Sequence, residues 1–276
     1  MRVIVVGCNG FIGRSIVNEL RFLGIETVGI AKEDFNLLED STTSKLNSIL
    51  KDHDQIVFTS AIAPSKSAED VRKSIKMADV FCNSVSELNI KQVILISSDS
   101  VYGDKSGLFD EFSACDPNSF HGLAQLSREI VLKNSNIQNL AILRLCAVYG
   151  EGDPHNGYGP NRFINQIRNS ETIKVFGEGL NFRDHIYIDD VVNLILRSLK
   201  MNFSGTLNVV TGNSYSFNEV AEKCRKIFSP QTKIEFSGTE GNIIVKSFDI
   251  SKINEIFPDF KAMNLDSGLE LWKKRV

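Results

Sequence analysis

The feature that most constrains this chain is a glycine triplet set between a short apolar run and an amphipathic one. Val3 to Val6 is apolar and short enough for a strand, and Gly7, Gly10 and Gly13 follow with the spacing G-x-x-G-x-x-G. Ile12, Ile16, Val17, Leu20 and Leu23 then recur at helical spacing. A strand that turns into a helix through three glycines leaves bare backbone at the turn. The first glycine permits the tight turn, and the second leaves room for a pyrophosphate to approach. The third lets helix and strand pack closely, with the helix N-terminus aimed at the phosphate charge. The stretch is therefore predicted to bind a dinucleotide, with Gly7, Gly10, Phe11, Ile12, Gly13 and Arg14 as candidate contacts. An ordinary βα turn can carry the same glycines, so the remainder of the chain has to decide.

Further along, Glu26 to Ala31 reads as a second strand and Ser41 to Leu50 as a helix. Asp54 to Ser60 is a third strand, running into Ala61 and Ala63, small enough for a cofactor to lie against. A long helix over Ala68 to Leu88, a fourth strand over Lys91 to Ser98, a helix over 118–133 and a fifth strand over Gln138 to Arg144 follow. Strands alternating with helices imply an α/β fold with a doubly wound parallel sheet. Ligands of such sheets lie outside the carboxyl ends of the strands, which puts Ser97 and Ser98 within reach of a substrate. The acid that ordinarily binds the adenosine ribose is expected at Ala31, and Lys32 follows it. Alanine removes the repulsion of a 2′-phosphate and Lys32, with Arg14, can neutralise one, so NADP is expected ahead of NAD. Asp34 and Asn36 lie just beyond, towards the adenine.

Composition excludes several classes. A chain of 276 residues with 42% hydrophobic and 24% charged residues suits one large domain with a smaller lobe. A net charge of -3 and a pI near 5.9 argue against a nucleic-acid partner. No apolar run approaches the ~20 residues of a membrane helix, and strand residues begin at position 3, so neither a membrane span nor a signal peptide is expected. Cys8, Cys82, Cys115, Cys146 and Cys224 are scattered without metal-ligand spacing, as in a cytoplasmic protein with reduced thiols and no metal.

Several runs together resemble one family: GCNGFIG at 7–13, SSDSVYG at 97–103, LRLCAVYG at 143–150 and KVFGEGLNFRDHIYIDDVV at 174–192, with FDISKINEIF at 248–257 and LDSGLELWKK at 265–274. The chain is similar to the extended short-chain dehydrogenases/reductases, in the branch of nucleotide-sugar epimerases, dehydratases and reductases. The resemblance implies a Rossmann-like dinucleotide-binding domain over 1–150, receiving parts of about 186–210. A small C-terminal substrate-binding lobe takes most of 151–276. It also implies a homodimer paired through the helices near 68–88 and 118–134.

That family works through a tyrosine and a lysine four residues apart. The lysine lowers the tyrosine's pKa and holds the nicotinamide ribose, and the tyrosine moves the proton that accompanies hydride transfer. Aligning Pro117 and Glu129 with the family's flanking residues puts His121 on the tyrosine and Gln125 on the lysine. Tyr102, Tyr158 and Tyr187 do not restore the pair. Three readings stay open. His121 replaces the tyrosine as acid/base, with Gln125 one turn away on the same helix face to bind ribose. Alternatively, the protein is a catalytically silent cofactor-binding or regulatory member, or His121 is only a loop-facing histidine. Ser98 matches the family's hydroxyl on the sugar's reacting oxygen, with a strand-end cap as the competing role. Asp99 matches an acid of the family's dehydratases, but the neighbouring glutamate is Ser100 here, which favours epimerisation or reduction.

On the substrate side, the resemblance gives Phe176 to base stacking, Gly177 to close approach and Arg183 to the diphosphate, with Arg162 and Asn161 joining the pocket. A salt bridge from Arg183 to Asp184 or Asp189 is the competing role, and Asp189 and Asp190 read as N-terminal acids of the helix to Lys200. Ala147 replaces a polar residue, so one sugar contact is lost. The expected function is an NAD(P)-binding, atypical epimerase or 4-keto-sugar reductase acting on a nucleotide-sugar for surface polysaccharide.

Overall fold

Continuous apolar runs such as VIVV and VILI form interior strands when both faces of a sheet are covered. The computed structural model describes residues 1–154, 156–239 and 241–276. The first half of the chain runs β1 (Arg2–Val6), α1 (Phe11–Phe22), β2 (Glu26–Ile30), α2 (Thr42–Asn47), β3 (Gln55–Phe58), α3 (Ala68–Val85), β4 (Gln92–Ser98), a 3₁₀ turn (Asp99–Tyr102), β5 (Gly107–Phe109), α4 (Phe120–Lys133) and β6 (Leu140–Leu145). The second half runs β7 (Ala147–Tyr149), α5 (Pro160–Arg168), β8 (Ile173–Phe176), β9 (Phe182–Tyr187), α6 (Ile188–Met201), β10 (Gly205–Val209), β11 (Ser214–Ser216), α7 (Phe217–Phe228), β12 (Ile234–Ser237), β13 (Lys246–Phe248), α8 (Ser251–Ile256) and α9 (Leu265–Arg275).

The chain divides into two compact units. Unit 1 comprises Met1–Gly103, Ser113–Leu145 and Val192–Asn208, and unit 2 comprises Asp104–Phe112, Cys146–Val191 and Val209–Val276.

Unit 1 holds a six-stranded sheet in the order β10-β6-β4-β3-β1-β2. Each neighbouring pair from β6 to β2 is parallel. Ile4, Val6, Ile56, Phe58, Val93 and Leu95 share one face with buried residues of α2, α3 and α4. The alternate residues Val3, Val5, Val57 and Ile94 are fully buried too, as a doubly wound sheet requires. The order reverses at β1, which pairs with β2 on one side and β3 on the other. That switch point opens a crevice at the carboxyl ends of β1 and β3.

A buried ion pair ties three of these elements together. Arg144 on β6 donates from Nε and Nη2 to the Glu129 carboxylate on α4 at 2.9 and 2.7 Å, and Ser97 Oγ on β4 donates to the same group at 2.6 Å. Arg144 Nη1 also reaches the Tyr102 hydroxyl, which donates to Asn208 Oδ1.

Unit 2 holds a three-stranded sheet in the order β11-β9-β7 and the pairs β12-β8 and β13-β5. One expectation is corrected here. The stretch after Gly103, for which no strand was expected, contains β5, which pairs in parallel with β13 (Gly107 opposite Lys246). As a result Asp104–Phe112 and Cys146–Gly150 lie in unit 2, not in a domain spanning 1–150. The partner strand is more than a hundred residues away, and three residues carry no periodicity of their own. Among the described residues no helix is long and apolar enough to cross a membrane.

Breaking the buried pair leaves the buried Glu129 carboxylate with only the Ser97 hydroxyl and Lys133, 3.6 Å away, to balance it. Arg144→Met is expected to lower the unfolding free energy by about 3–5 kcal/mol, read by urea denaturation. A loss below ~1 kcal/mol would contradict the role given to the pair.

Candidate functional site

The turn after β1 is packed so closely that neither Gly7 nor Gly13 has room for a Cβ. Gly7 has φ +95°, and a Cβ there would meet Thr59 Oγ1 at 2.5 Å. A Cβ on Gly13 would stand 2.1 Å from the Gly7 carbonyl oxygen. Gly7 N and Cys8 N donate to the Ile30 carbonyl, Gly10 N donates to Gly7 O, and Thr59 Oγ1 donates to Val6 O and Gly7 O. The N-cap of α1 is Gly10, which offers no side-chain oxygen, and the first turn carries no acid. By contrast, α3, α4 and α7 each have a serine N-cap that accepts from a first-turn amide. The amides of Phe11, Ile12 and Gly13 are therefore left for an anion. Only the Gly7 carbonyl lies within 4 Å of where a Cβ of Gly10 would stand, so space remains for a pyrophosphate. The Phe11 side chain is buried in the core and Arg14 is exposed on the first turn, so Phe11 can contribute its backbone alone.

Beside the turn lies a cavity of about 190 Å³, lined by Ile30, Ala31, Lys32, Phe35, Asn36, Ala61, Ile62 and Met77 among others. Its apolar walls fit an adenine. Asn36 lines it, but its amide is spent on the turn: Nδ2 donates to Glu39 and Oδ1 accepts from Leu38 N. Sequence reasoning missed Glu33, whose Oε2 accepts from Asn9 Nδ2 of the glycine turn at 3.1 Å. A carboxylate thus stands just beyond the end of β2, two residues after Ala31, where an acid was expected.

Four of the candidate reacting residues share unit 1 with this turn: His121, Gln125, Ser98 and Asp99. His121 opens α4 behind the Ser119 N-cap, and its Nδ1 accepts from Ser65 N at 3.5 Å, a weak contact. In that tautomer Nε2 carries the proton. Burial pushes the imidazole below its ordinary pKa, Asp99 pulls it up and Arg128 pushes it down. Gln125 is buried, and its Oε1 accepts from Arg128 Nη1 at 2.6 Å. Ser98 Oγ caps the 3₁₀ turn by accepting from Ser100 N at 3.1 Å, while also donating to Asp99 Oδ1 at 3.3 Å. The one tyrosine of unit 1, Tyr102, is fully buried and committed to Asn208. Tyr187, in unit 2, donates to Glu151.

Unit 2 gathers the substrate candidates. Tyr158 OH accepts from Phe176 N at 2.8 Å and the Arg162 guanidinium lies 5.8 Å from the Tyr158 ring. The Phe176 ring, 56% exposed, packs where a Cβ of Gly238 would come within 2.7 Å. Asn161 is spent on Gly150 N and Asp153. Arg183 pairs with Asp104, a partner the sequence did not suggest, and not with Asp184 or Asp189. Asp184 accepts from Thr211 N, Thr211 Oγ1 and Gly212 N, its carboxyl pushed up to about 6 by burial. Asp189 pairs with Arg275, and Asp190 accepts from Met263 N. Among the described residues no group of three or more His, Cys, Asp or Glu is placed to hold a metal.

Against known proteins, a family model described as the NAD dependent epimerase/dehydratase family matches residues 3–210. The chain belongs to this family. ADP-L-glycero-D-manno-heptose-6-epimerase of Brachyspira hyodysenteriae is 26% identical over 97% of this chain and 95% of that protein. The dTDP-4-dehydro-6-deoxyglucose reductase of Escherichia coli is 27% identical over 80% of this chain and 79% of its own length. The solved UDP-glucuronic acid 4-epimerase from Bacillus cereus, in complex with UDP-glucuronic acid and NAD, superposes with TM-score 0.83. It is 25% identical, with 99% of this chain and 98% of that one covered. The fold is the family's α/β dinucleotide-binding fold.

The lowered pKa of His121 has a sign that can be checked. The unfolded ring takes a proton near pH 6.5 and the folded one only below that, so its contribution to stability is present above 6.5 and lost as the pH falls towards the folded value. The His121 Cε1 resonance is expected to titrate with a midpoint below 6.5. A midpoint at or above 6.5 would mean the ring is solvated.

Proposed function

We propose that this protein binds NAD together with a nucleotide-sugar and epimerises or reduces the sugar, with His121 and Gln125 standing where the family has its tyrosine and lysine. The observation that carries this reading is the set of uncapped amides of Phe11, Ile12 and Gly13 at the switch point of the sheet, beside a turn in which Gly7 and Gly13 leave no room for a Cβ. The amides of those three residues would take the pyrophosphate, and Ala61 and the slot beside Ala31 would take the adenosine. When bound, the nicotinamide takes hydride from a sugar carbon or gives one to it.

The chain's own residues supply the rest. His121 meets the reacting oxygen through Nε2: in the tautomer that Ser65 favours it donates a hydrogen bond there, and giving up a proton takes the imidazolium, whose second N–H, on Nδ1, also ends the Ser65 contact. Accepting a proton there needs the other tautomer, which gives up only the 3.5 Å contact to Ser65. Ser98 orients the same oxygen after its hydroxyl turns from Asp99, and Gln125 hydrogen-bonds the ribose. Phe176 stacks on the base, while Arg162 and Arg183 bind the diphosphate, the latter exchanging Asp104 for phosphate oxygens.

The preference for NADP drawn from Ala31 and Lys32 gives way to NAD in this reading. Lys32 is exposed, whereas Glu33 is tied to the glycine turn through Asn9, where its carboxylate opposes a 2′-phosphate. Glu33→Lys is expected to shift the ratio of NAD to NADP affinities about tenfold towards NADP in calorimetric titrations, the worth of ~1.4 kcal/mol. An unchanged ratio would remove Glu33 from the ribose site.

The function itself is tested with NAD and a panel of UDP-, dTDP- and ADP-sugars, following products by NMR. Turnover of at least one sugar is expected, and His121→Ala is expected to lower it about 10²–10⁴-fold. Turnover that survives His121→Ala discards the role of His121. Wild-type protein that binds no dinucleotide discards the whole reading.

A further inference from the structure

Arg128 is the largest fully buried side chain among the described residues. It lies on α4 three residues beyond Gln125, where helical geometry puts both side chains on one face. From Nη1 it donates to Gln125 Oε1 at 2.6 Å and to the Ile96 carbonyl at 3.0 Å, and from Nη2 to the Ser60 carbonyl at 2.9 Å. The guanidinium lies 5.1 Å from the centroid of the Phe58 ring. Among the described residues it pairs with no carboxylate, since the adjacent Glu129 is engaged by Arg144. Burial pushes its pKa down to about 10, which leaves it charged at neutral pH. A cation held only by neutral acceptors is costly in a core, and an apolar side chain of similar volume would be cheaper there.

What the guanidinium does to Gln125 gives it a purpose. Guanidinium carries donors and no acceptor, so the amide atom facing it has to be the oxygen. An amide whose two ends are ordinarily interchangeable is thereby locked. Gln125 is 5% exposed, and with Oε1 held by Arg128 its Nε2 is the end of the amide left to other partners. Ser60, which accepts from Arg128, also lines the cavity beside the glycine turn, so the network abuts the crevice at the switch point.

We infer that Arg128 is a positioning residue whose donor-only fork holds Gln125 with its N–H pair facing the dinucleotide, as preset donors to a ribose hydroxyl. The inference rests on the cofactor reading above and adds a residue to it. The test uses Gln125→Glu in the full chain. The carboxylate has the same shape and gives Arg128 a counter-ion, but it has no N–H to offer. The variant is expected to unfold at or above the wild-type midpoint while binding NAD at least tenfold more weakly. Normal NAD affinity in this variant, or a lower midpoint, overturns the inference and leaves the cofactor reading standing.

A double-mutant cycle separates positioning from mere support. Arg128→Lys is expected to weaken NAD binding severalfold in the wild-type background and to have no further effect once Gln125→Met has removed the amide. Equal effects in both backgrounds overturn the inference. Wild-type protein without measurable NAD binding overturns it together with the reading beneath it.

Discussion

The contact on which the rest of unit 1 depends is backbone against backbone: the first turn of α1 lies against the carbonyl of Gly7. A single Cβ at Gly13 would stand 2.1 Å from that oxygen, far inside van der Waals contact. Because no side chain intervenes, α1 starts immediately above β1, and its first amides are presented at the point where the strand order reverses. Thr59, at the end of β3, locks the same carbonyl from the other side. The helix terminus itself supplies partial positive charge at that point, without any charged side chain.

A second layer of organisation lies beneath that turn, in a buried polar network unusual for its arginines. Glu129 is shared by Arg144 and Ser97, which joins α4 to β6 and β4. One residue earlier, Arg128 reaches the ends of β3 and β4 through two carbonyls. The two arginines do different work. Arg144 completes an ion pair and stabilises the packing of a helix on a sheet, whereas Arg128 is left with neutral acceptors and orders an amide at the edge of the crevice. The helix that brings His121 and Gln125 to one face is thus anchored at both of its inner positions, which limits how far those side chains can wander.

Unit 2 is built from short strands that pair across long sequence distances, and its candidate ligand groups are engaged within the protein itself. Arg183 is neutralised by Asp104, and Tyr158 holds the backbone of Phe176. An arginine already paired to a surface carboxylate can exchange it for phosphate oxygens at little electrostatic loss, because both states are ion pairs in the same surroundings.

The local parts of this fold were legible in the sequence. Periodicity marked β1, α1, β3, α3, β4, α4 and β6 within a few residues, because each repeats its pattern over a span shorter than the element itself. The glycine spacing marked the turn for the same reason, since a steric demand on a backbone is written at the residues that meet it. Even the absence of a tyrosine at position 121 was visible. What only the tertiary structure decided are the pairings between distant residues: β5 with β13, Asp104 with Arg183, Asn9 with Glu33. Each depends on two short segments meeting, and neither segment carries a pattern that names the other. Arg128 is the sharpest instance. In the sequence it is one more polar residue on an amphipathic helix, and the chain alone does not reveal that its position faces the core, where a charge must find acceptors and in doing so orients its neighbour.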